Sequence, residues 1–265
     1  MKFDITEEMK NIILNSSIKN TYNKTHTHTK YPLDLIINEL LYFLKSGVSW
    51  NLLRSPIKYK TLYWHFTKFV QNNIFLKLYN KIRSSYINKY ISTHCSLLID
   101  STNIYNKYGR NKIGRNKFYK NKRSTKISLM TDINGFPLSV LFMKGNYHDN
   151  TVFHKHIRDS LVILPKRKLQ IIADKAYSSY KNYELLDQNN ITHIIPPRNN
   201  MKIASNYKYD INSYKKRIKI EHIFGRLKTY RRFNMRYDKL LSRFAGFTYF
   251  ALSIIAINII NKLFA

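Results

Sequence analysis

Residues 95–100 read CSLLID and residues 169–174 read LQIIAD. Each is a short apolar run that closes on an aspartate, the pattern of a strand buried on both faces. Asp is a poor strand residue, so an acid directly after such a run marks the strand's end. Open α/β sheets place their ligands at strand ends. Taken singly, Asp100 and Asp174 have the ordinary reading of a turn or a helix cap. Between them lie two more strand-like runs, residues 126–133 and 136–144, separated by Asn134-Gly135. That dipeptide supplies the positive φ angles of a tight hairpin. Helix-like residues 177–188 and a strand-like run, 191–195, closed by Pro196-Pro197, follow the second aspartate. A hairpin followed by β-α-β, with helices on either side, predicts an α/β or α+β domain around a mixed sheet.

Upstream of this domain, residues 1–92 read as helical. Leu33, Ile36, Ile37, Leu40, Leu41 and Leu44 recur at three- and four-residue spacing and Gly47 stops the run. Further helical stretches are expected at about residues 60–70 and 73–91. The chain therefore divides as a helical region, 1–92, which we read as DNA-binding, and a second domain, 93–265. Helices in a basic setting fit a helix-turn-helix and a plain helical subdomain equally well. Downstream, helices are expected over about 213–229 and 243–262. The apolar run 244–260 falls short of the ~20 residues of a membrane span. Asn261 and Lys262 follow it at once, so a buried core helix is expected. The opening MKFDITEEMK carries acids early and does not read as a signal peptide.

The 265 residues hold 46 Lys+Arg against 15 Asp+Glu, a formal charge of +31, with 44% hydrophobic residues. That apolar content builds a core and excludes disorder as the main state. The charge repels itself unless a polyanion neutralises it, which makes nucleic acid the leading partner and an acidic membrane surface the weaker rival. The single cysteine, Cys95, allows no internal disulfide and no thiolate metal cluster, and it fits a reducing compartment.

A third acid, Glu221, lies in YKKRIKIEHIFGRLK, residues 214–228. On a continuous helix with Arg217 at zero, Lys228 falls at about 20°, Glu221 at about 40° and Tyr214 at about 60°. Ile220, Ile223, Phe224 and Leu227 form an adjacent apolar face that packs on a sheet. An i,i+4 surface ion pair accounts for Arg217 and Glu221 alone, but not for four functional groups in one stripe. Three carboxylates without a Cys or His cluster specify a hard cation, Mg²⁺ or Mn²⁺. With nucleic acid as partner, that set suits two-metal phosphodiester chemistry.

In order along the chain these segments resemble bacterial DDE transposases of the insertion-sequence IS-five type. The matching stretches are ELLYFLKSGVSWNLL with Gly47 and Trp50, TLYWHF, LLIDST, KISLMTDINGFPLSVLFMKGNYHDN, IIADKAYSSYKNYELL, IIPPRNN and the Glu221 helix. The family signature in that helix is Tyr, two residues, Arg, three residues, Glu, six residues, Lys, which Tyr214, Arg217, Glu221 and Lys228 satisfy. The resemblance covers roughly residues 30–263. Ala176 departs from it, standing where the family commonly has Gly, and so does an unusually Lys/Asn-rich loop after Asp100. The resemblance implies a ribonuclease-H-like mixed sheet flanked by helices. It also implies a catalytic, metal-binding triad of Asp100, Asp174 and Glu221, with two Mg²⁺ or Mn²⁺ ions, and Tyr214, Arg217 and Lys228 on DNA phosphates. The expected reaction is cleavage at transposon ends and strand transfer into target DNA. Expected partners are double-stranded terminal inverted repeats, target DNA and further copies of the chain, and no membrane. The expected compartment is the bacterial cytoplasm, or the nucleus in a eukaryotic host. A transposon-derived DNA-binding protein that no longer cuts, and a nuclease of the same fold, remain as alternatives.

Residues 106–126 carry nine cations and no acids, among them Arg110, Arg115, Lys117, Arg123 and Lys126, with Tyr105, Tyr108, Phe118 and Tyr119 in or beside the run. Cations for phosphates and aromatics for bases suit a DNA-contacting loop; a solvated loop is the plainer reading. A second basic zone from Arg226 to Lys239 would extend the DNA path. His148-Asp149 reads as turn chemistry or as a group that orients DNA or a metal-bound water. Thr25-His26-Thr27-His28 has no clustered partner to make it a metal tract. Asp132 is explained by its turn, and Trp50 and Trp64 are expected in the core.

Overall fold

The computed structural model describes residues 4–22, 31–109, 111–117 and 120–263. Helices α1 (Ile5–Leu14), α2 (Lys19–Tyr22), α3 (Leu33–Ser46), α4 (Tyr59–Gln71) and α5 (Ile74–Tyr90) come first. Strands β1 (His94–Asn106), β2 (Gly114–Asn116), β3 (Lys122–Asp132) and β4 (Pro137–Lys144) follow. Then come α6 (Asn150–Ile163), β5 (Lys168–Ala173), α7 (Tyr180–Gln188) and β6 (Thr192–Ile194). The chain closes with α8 (Ile211–Lys215), α9 (Ile218–Thr229), α10 (Arg231–Asn234), β7 (Met235–Arg236) and α11 (Leu241–Leu263).

These elements form two compact units that do not divide at residues 92 and 93. One takes the chain up to Ser84 together with Asn106–Asn111 and everything from Arg226 onward. The other is Ser85–Tyr105 with Lys112–Gly225. The regrouping has an aromatic cause. In the helical unit, Phe247 of α11 stacks on Phe66 of α4 with centroids 4.1 Å apart, and Phe250 lies 5.0 Å from Phe75. α11 has 23 residues, longer than expected and by length and composition enough to cross a membrane, yet 72% of its most apolar window is buried inside the protein. Gly47 ends α3 in the left-handed region at φ +64°, and a Cβ there would lie 2.6 Å from the Arg231 Cβ. Position 47 thus excludes a side chain for two independent reasons.

The sheet unit is built on β1. The strand runs antiparallel to β3, which pairs with β4, and parallel to β5, which pairs in parallel with β6. The order β4-β3-β1-β5-β6, three antiparallel strands followed by parallel ones, is the ribonuclease-H-like arrangement expected for the mixed sheet. Leu97, Ile99, Ile171 and Ile172 are fully buried at its centre. The β3–β4 turn uses one left-handed residue and not two: Gly135 has φ +81°, while Asn134 is not among the positive-φ residues. Asp132 and Phe136 close it as a three-residue loop. A Cβ at Gly135 would lie 3.1 Å from the Ile223 side chain, so α9 packs against this turn. Asp132 does more than shape the turn. It is 3% exposed, accepts from the Asn134 and Phe136 N–H groups, and takes the Tyr86 hydroxyl.

Candidate active site

Register places the first two acids. Ile99 and Ala173 are partners on the parallel β1–β5 ladder, so Asp100 and Asp174 are the next residues on neighbouring strands, which run about 4.8 Å apart. Asp174 caps a short 3₁₀ turn, Lys175–Tyr177, by accepting from the Ala176 N–H. Ala176 needs no positive φ there, so the departure from Gly costs nothing.

The third acid arrives through Arg217. The expected single helix over 213–229 is interrupted: α8 ends at Lys215, residues 216 and 217 form a turn, and α9 begins at Ile218. Tyr214 therefore lies on α8 and Arg217 in the turn, with its guanidinium carbon 6.0 Å from the Tyr214 ring centroid. From that turn Arg217 bonds Asp100 Oδ2 at 3.2 Å and Glu221 Oε1 at 2.5 Å. The expected apolar face holds, with Ile220, Ile223, Phe224 and Leu227 all buried. Lys228 and Arg226 lie exposed, seven and five residues beyond Glu221 on α9.

Burial pushes the Asp100 carboxyl up to about 6; the Ser101 N–H bond and Arg217 oppose the rise, and Asp149 and Asp174 add to it. No three Asp, Glu, His or Cys side chains close on one metal position among the described residues, and a guanidinium bridges two of the carboxylates. The donor set of carboxylate oxygens nevertheless fits a hard divalent cation.

Several groups here have partners that the sequence reading did not assign. Asp149 accepts from the Ser101 hydroxyl and pairs with Lys126 at 2.9 Å. Lys126, counted above with the basic loop, is 7% exposed and also donates to the Tyr147 carbonyl. Beneath Asp100 runs a buried chain: Asp159 takes the Ser139 hydroxyl, and His156 lies between Ser139 and Ser128. The Ser128 hydroxyl donates to the Asp100 carbonyl at 3.3 Å. The Tyr177 phenol, 1% exposed, is held far above its usual pKa by burial and then by Asp149 and Asp100. Phe153, His156, Ile157 and Ser160 share the buried face of α6, so helical spacing was the available signal for His156.

Other expected contacts scatter. Arg115 and Arg123 are cross-strand partners on the exposed β2–β3 ribbon, followed by exposed Lys117. Arg110 and the Thr25–His28 tract lie outside the described residues. The second basic zone is divided: Arg232 is 5% and Arg236 0% exposed, whereas Arg226, Lys228, Arg231 and Lys239 are exposed. His148 sits in a turn, its carbonyl taking the Thr151 hydroxyl. Trp50 stacks on Phe43 at 3.7 Å but is only partly buried, and Trp64 is exposed beneath the Lys68 ammonium.

A ribonuclease-H-like sheet carrying acids at the ends of adjacent strands defines a class of polynucleotidyl-transfer enzymes. The family model described as Transposase DDE domain matches residues 91–258. The chain belongs to that family and is a DNA-cleaving, strand-transferring transposase, with the family's dependence on divalent metal. It is 30% identical over 132 residues to the putative transposase for insertion sequence element IS6501 of Brucella ovis, covering 50% of this chain and 97% of that protein. In fold it is similar to the piggyBac transposase in a synaptic complex with hairpin DNA, with TM-score 0.59, 11% identity, and coverage of 97% of this chain and 72% of that one.

Proposed function

We propose that this chain is an IS-five-type transposase that cleaves the ends of its own element and joins the freed 3′-hydroxyl to target DNA. Asp100, Asp174 and Glu221 are its catalytic carboxylates and hold two Mg²⁺ ions, with Mn²⁺ as substitute. The observation that carries this reading is the Arg217 guanidinium shared by Asp100 and Glu221, with Asp174 directly after Ala173, the ladder partner of Ile99. Divalent ions held by these carboxylates would supply activation of the attacking oxygen and stabilisation of the leaving one. The chain's own groups do the rest. Tyr214 and Arg217 hold the phosphate of the cleaved end against the acids, and Lys228 and Arg226 bind the same DNA further along. Arg115, Lys117 and Arg123 hold the backbone as exposed cations, and Arg110 adds its charge to the same DNA. In hydrolysis a water oxygen bonds to phosphorus and the 3′-oxygen leaves. In strand transfer that 3′-oxygen bonds to a target phosphorus and the target's own 3′-oxygen leaves.

We place the enzyme in the bacterial cytoplasm on nucleoid DNA, in line with its Brucella relative, and as a homo-oligomer, since two transposon ends must be held together. The test is a strand-transfer assay with Mg²⁺ on a duplex of the terminal repeat flanking the gene. Wild type should yield joined product. Asp100→Asn, Asp174→Asn and Glu221→Gln should each lower cleavage by about 10³-fold or more, with DNA affinity within about threefold. Cleavage without joining would favour a plain nuclease, and full activity in any of the three variants would remove that acid from the site.

A further inference from the structure

A cleft of about 440 Å³ opens beside Asp174, lined by Asp174, Lys175, Ala176, Arg198 and Asn199. Arg198 and Asn199 of that lining follow the end of β6 along the chain. Ile195 has its N–H bonded by the Tyr207 hydroxyl and its carbonyl by the Tyr183 hydroxyl, so the strand stops there with both backbone groups satisfied. Pro196 and Pro197 have no N–H to continue the ladder, and they carry the chain past the C-terminal edge of β5 to Arg198. The Arg198 Nη2 donates to the Ala176 carbonyl at 2.9 Å and Nε reaches the Lys175 carbonyl at 3.4 Å. The guanidinium is thus held on the turn that follows Asp174 through Nη2 and Nε, and exposed Arg198 lines the cleft.

We propose that Arg198, with Lys175 and Asn199, is the binding site for a DNA backbone phosphate next to the scissile one, on the strand presented to Asp174. This rests on the transposase reading above and adds a contact to it. Two cations and an amide around a cleft are the chemistry of a phosphodiester. The cleft's side chains offer no aromatic face on which a base would stack. Asp174 in the wall repels a free phosphate dianion, whereas a diester carries one charge and arrives tethered to the strand.

The test uses the full chain and the terminal-repeat duplex, with single neutral methylphosphonates stepped through the nucleotides around the cleavage point. For wild type, one position beside the scissile phosphate should lower affinity about tenfold. Arg198→Ala should lose about the same on unmodified DNA, show no further loss at that position, and flatten the salt dependence by about one unit. Arg198→Lys keeps the charge but not the fork, and should retain the salt slope. If Arg198→Ala binds like wild type, or stays as sensitive as wild type at every methylphosphonate, the site is refuted while end cleavage by wild type leaves the transposase reading standing. If Arg198→Ala does not fold, the wild-type scan decides alone: no sensitive phosphate beside the scissile one refutes the site. Failure of wild type to bind or cleave its ends overturns both.

Discussion

Arg236 and Arg217 are two arginines of one very basic chain, and they are used in opposite ways. Arg236, in the helical unit, is fully enclosed and donates to the carbonyls of Asn111, Asp238 and Lys239. Its backbone carbonyl takes the Lys107 N–H, so segment 106–111 is fastened to the 236–239 loop at both levels. Next to it Arg232 pairs with Asp238 at 3.0 Å, with its guanidinium 4.9 Å from the Phe43 ring centroid. Arg217, in the sheet unit, is 20% exposed and faces two carboxylates. A guanidinium on neutral carbonyls has no other task than holding the fold. One between a partly buried Asp100 and an exposed Glu221 stands in a site whose charge balance a ligand can change.

Replacing each arginine tests that contrast, and the largest effect belongs to Arg236. Burial pushes its pKa down to about 10, yet it keeps its charge at neutral pH. Arg236→Ala should cost about 3–5 kcal/mol in urea unfolding, because buried carbonyls lose their donors and a cavity opens. A loss under about 1 kcal/mol would show that the loop rearranges without it.

A buried histidine in each unit extends the comparison to acid. Burial pushes His156 down to about 3 and His65, bonded to the Tyr22 hydroxyl, down to about 4. A depressed folded pKa contributes stability above the unfolded value of about 6.5, and that stability is lost as pH falls through the window between the two. Each histidine should therefore take up one proton on unfolding, which amounts to about 3 kcal/mol of lost stability by pH 4.5. His156→Asn should flatten the pH dependence by about one proton between pH 6 and 4. An unchanged slope would mean that His156 is already charged in the folded protein.

How much of this was legible in the sequence follows from the same contrast. The strands of the site were readable where they are covered on both faces, as in residues 95–100 and 169–173. β1 runs on to Asn106, but that half is only partly buried and shows no apolar run. Glu221 and the apolar face of α9 were readable from spacing. The break at Lys216–Arg217 was not, since neither residue is a Gly or Pro and the turn is held by i→i+3 bonds. Nor could composition separate Lys126, which turns inward to Asp149, from exposed Lys117 in the same basic run. Charge count gave the partner class, and only burial shows which cations are left to meet it.

Arg217→Ala should have a smaller effect on stability than Arg236→Ala, about 1 kcal/mol at pH 7, because its carboxylates are partly solvated. Its signature is ionic. With the guanidinium gone, added Mg²⁺ should raise the melting temperature of the variant more than that of wild type, since the acids lose their internal cation. Equal shifts in the two proteins would argue that Asp100 and Glu221 do not share one cation site.

The smallest effect is expected at the exposed ribbon, and its sign is the informative part. Arg115 and Arg123 are direct cross-strand partners, an arrangement of like charges that disfavours the pairing. Arg115→Glu replaces that repulsion with attraction and should stabilise the protein by a few tenths of a kcal/mol, to about 1 kcal/mol at most. The same change should weaken binding to the terminal-repeat duplex about tenfold or more, because a cation is lost and an anion placed where a phosphate would lie. Stability and affinity moving in opposite directions would identify a surface held in a locally unfavourable state for its polyanion. If both fall together, Arg115 belongs with Arg236 as a residue that serves the fold.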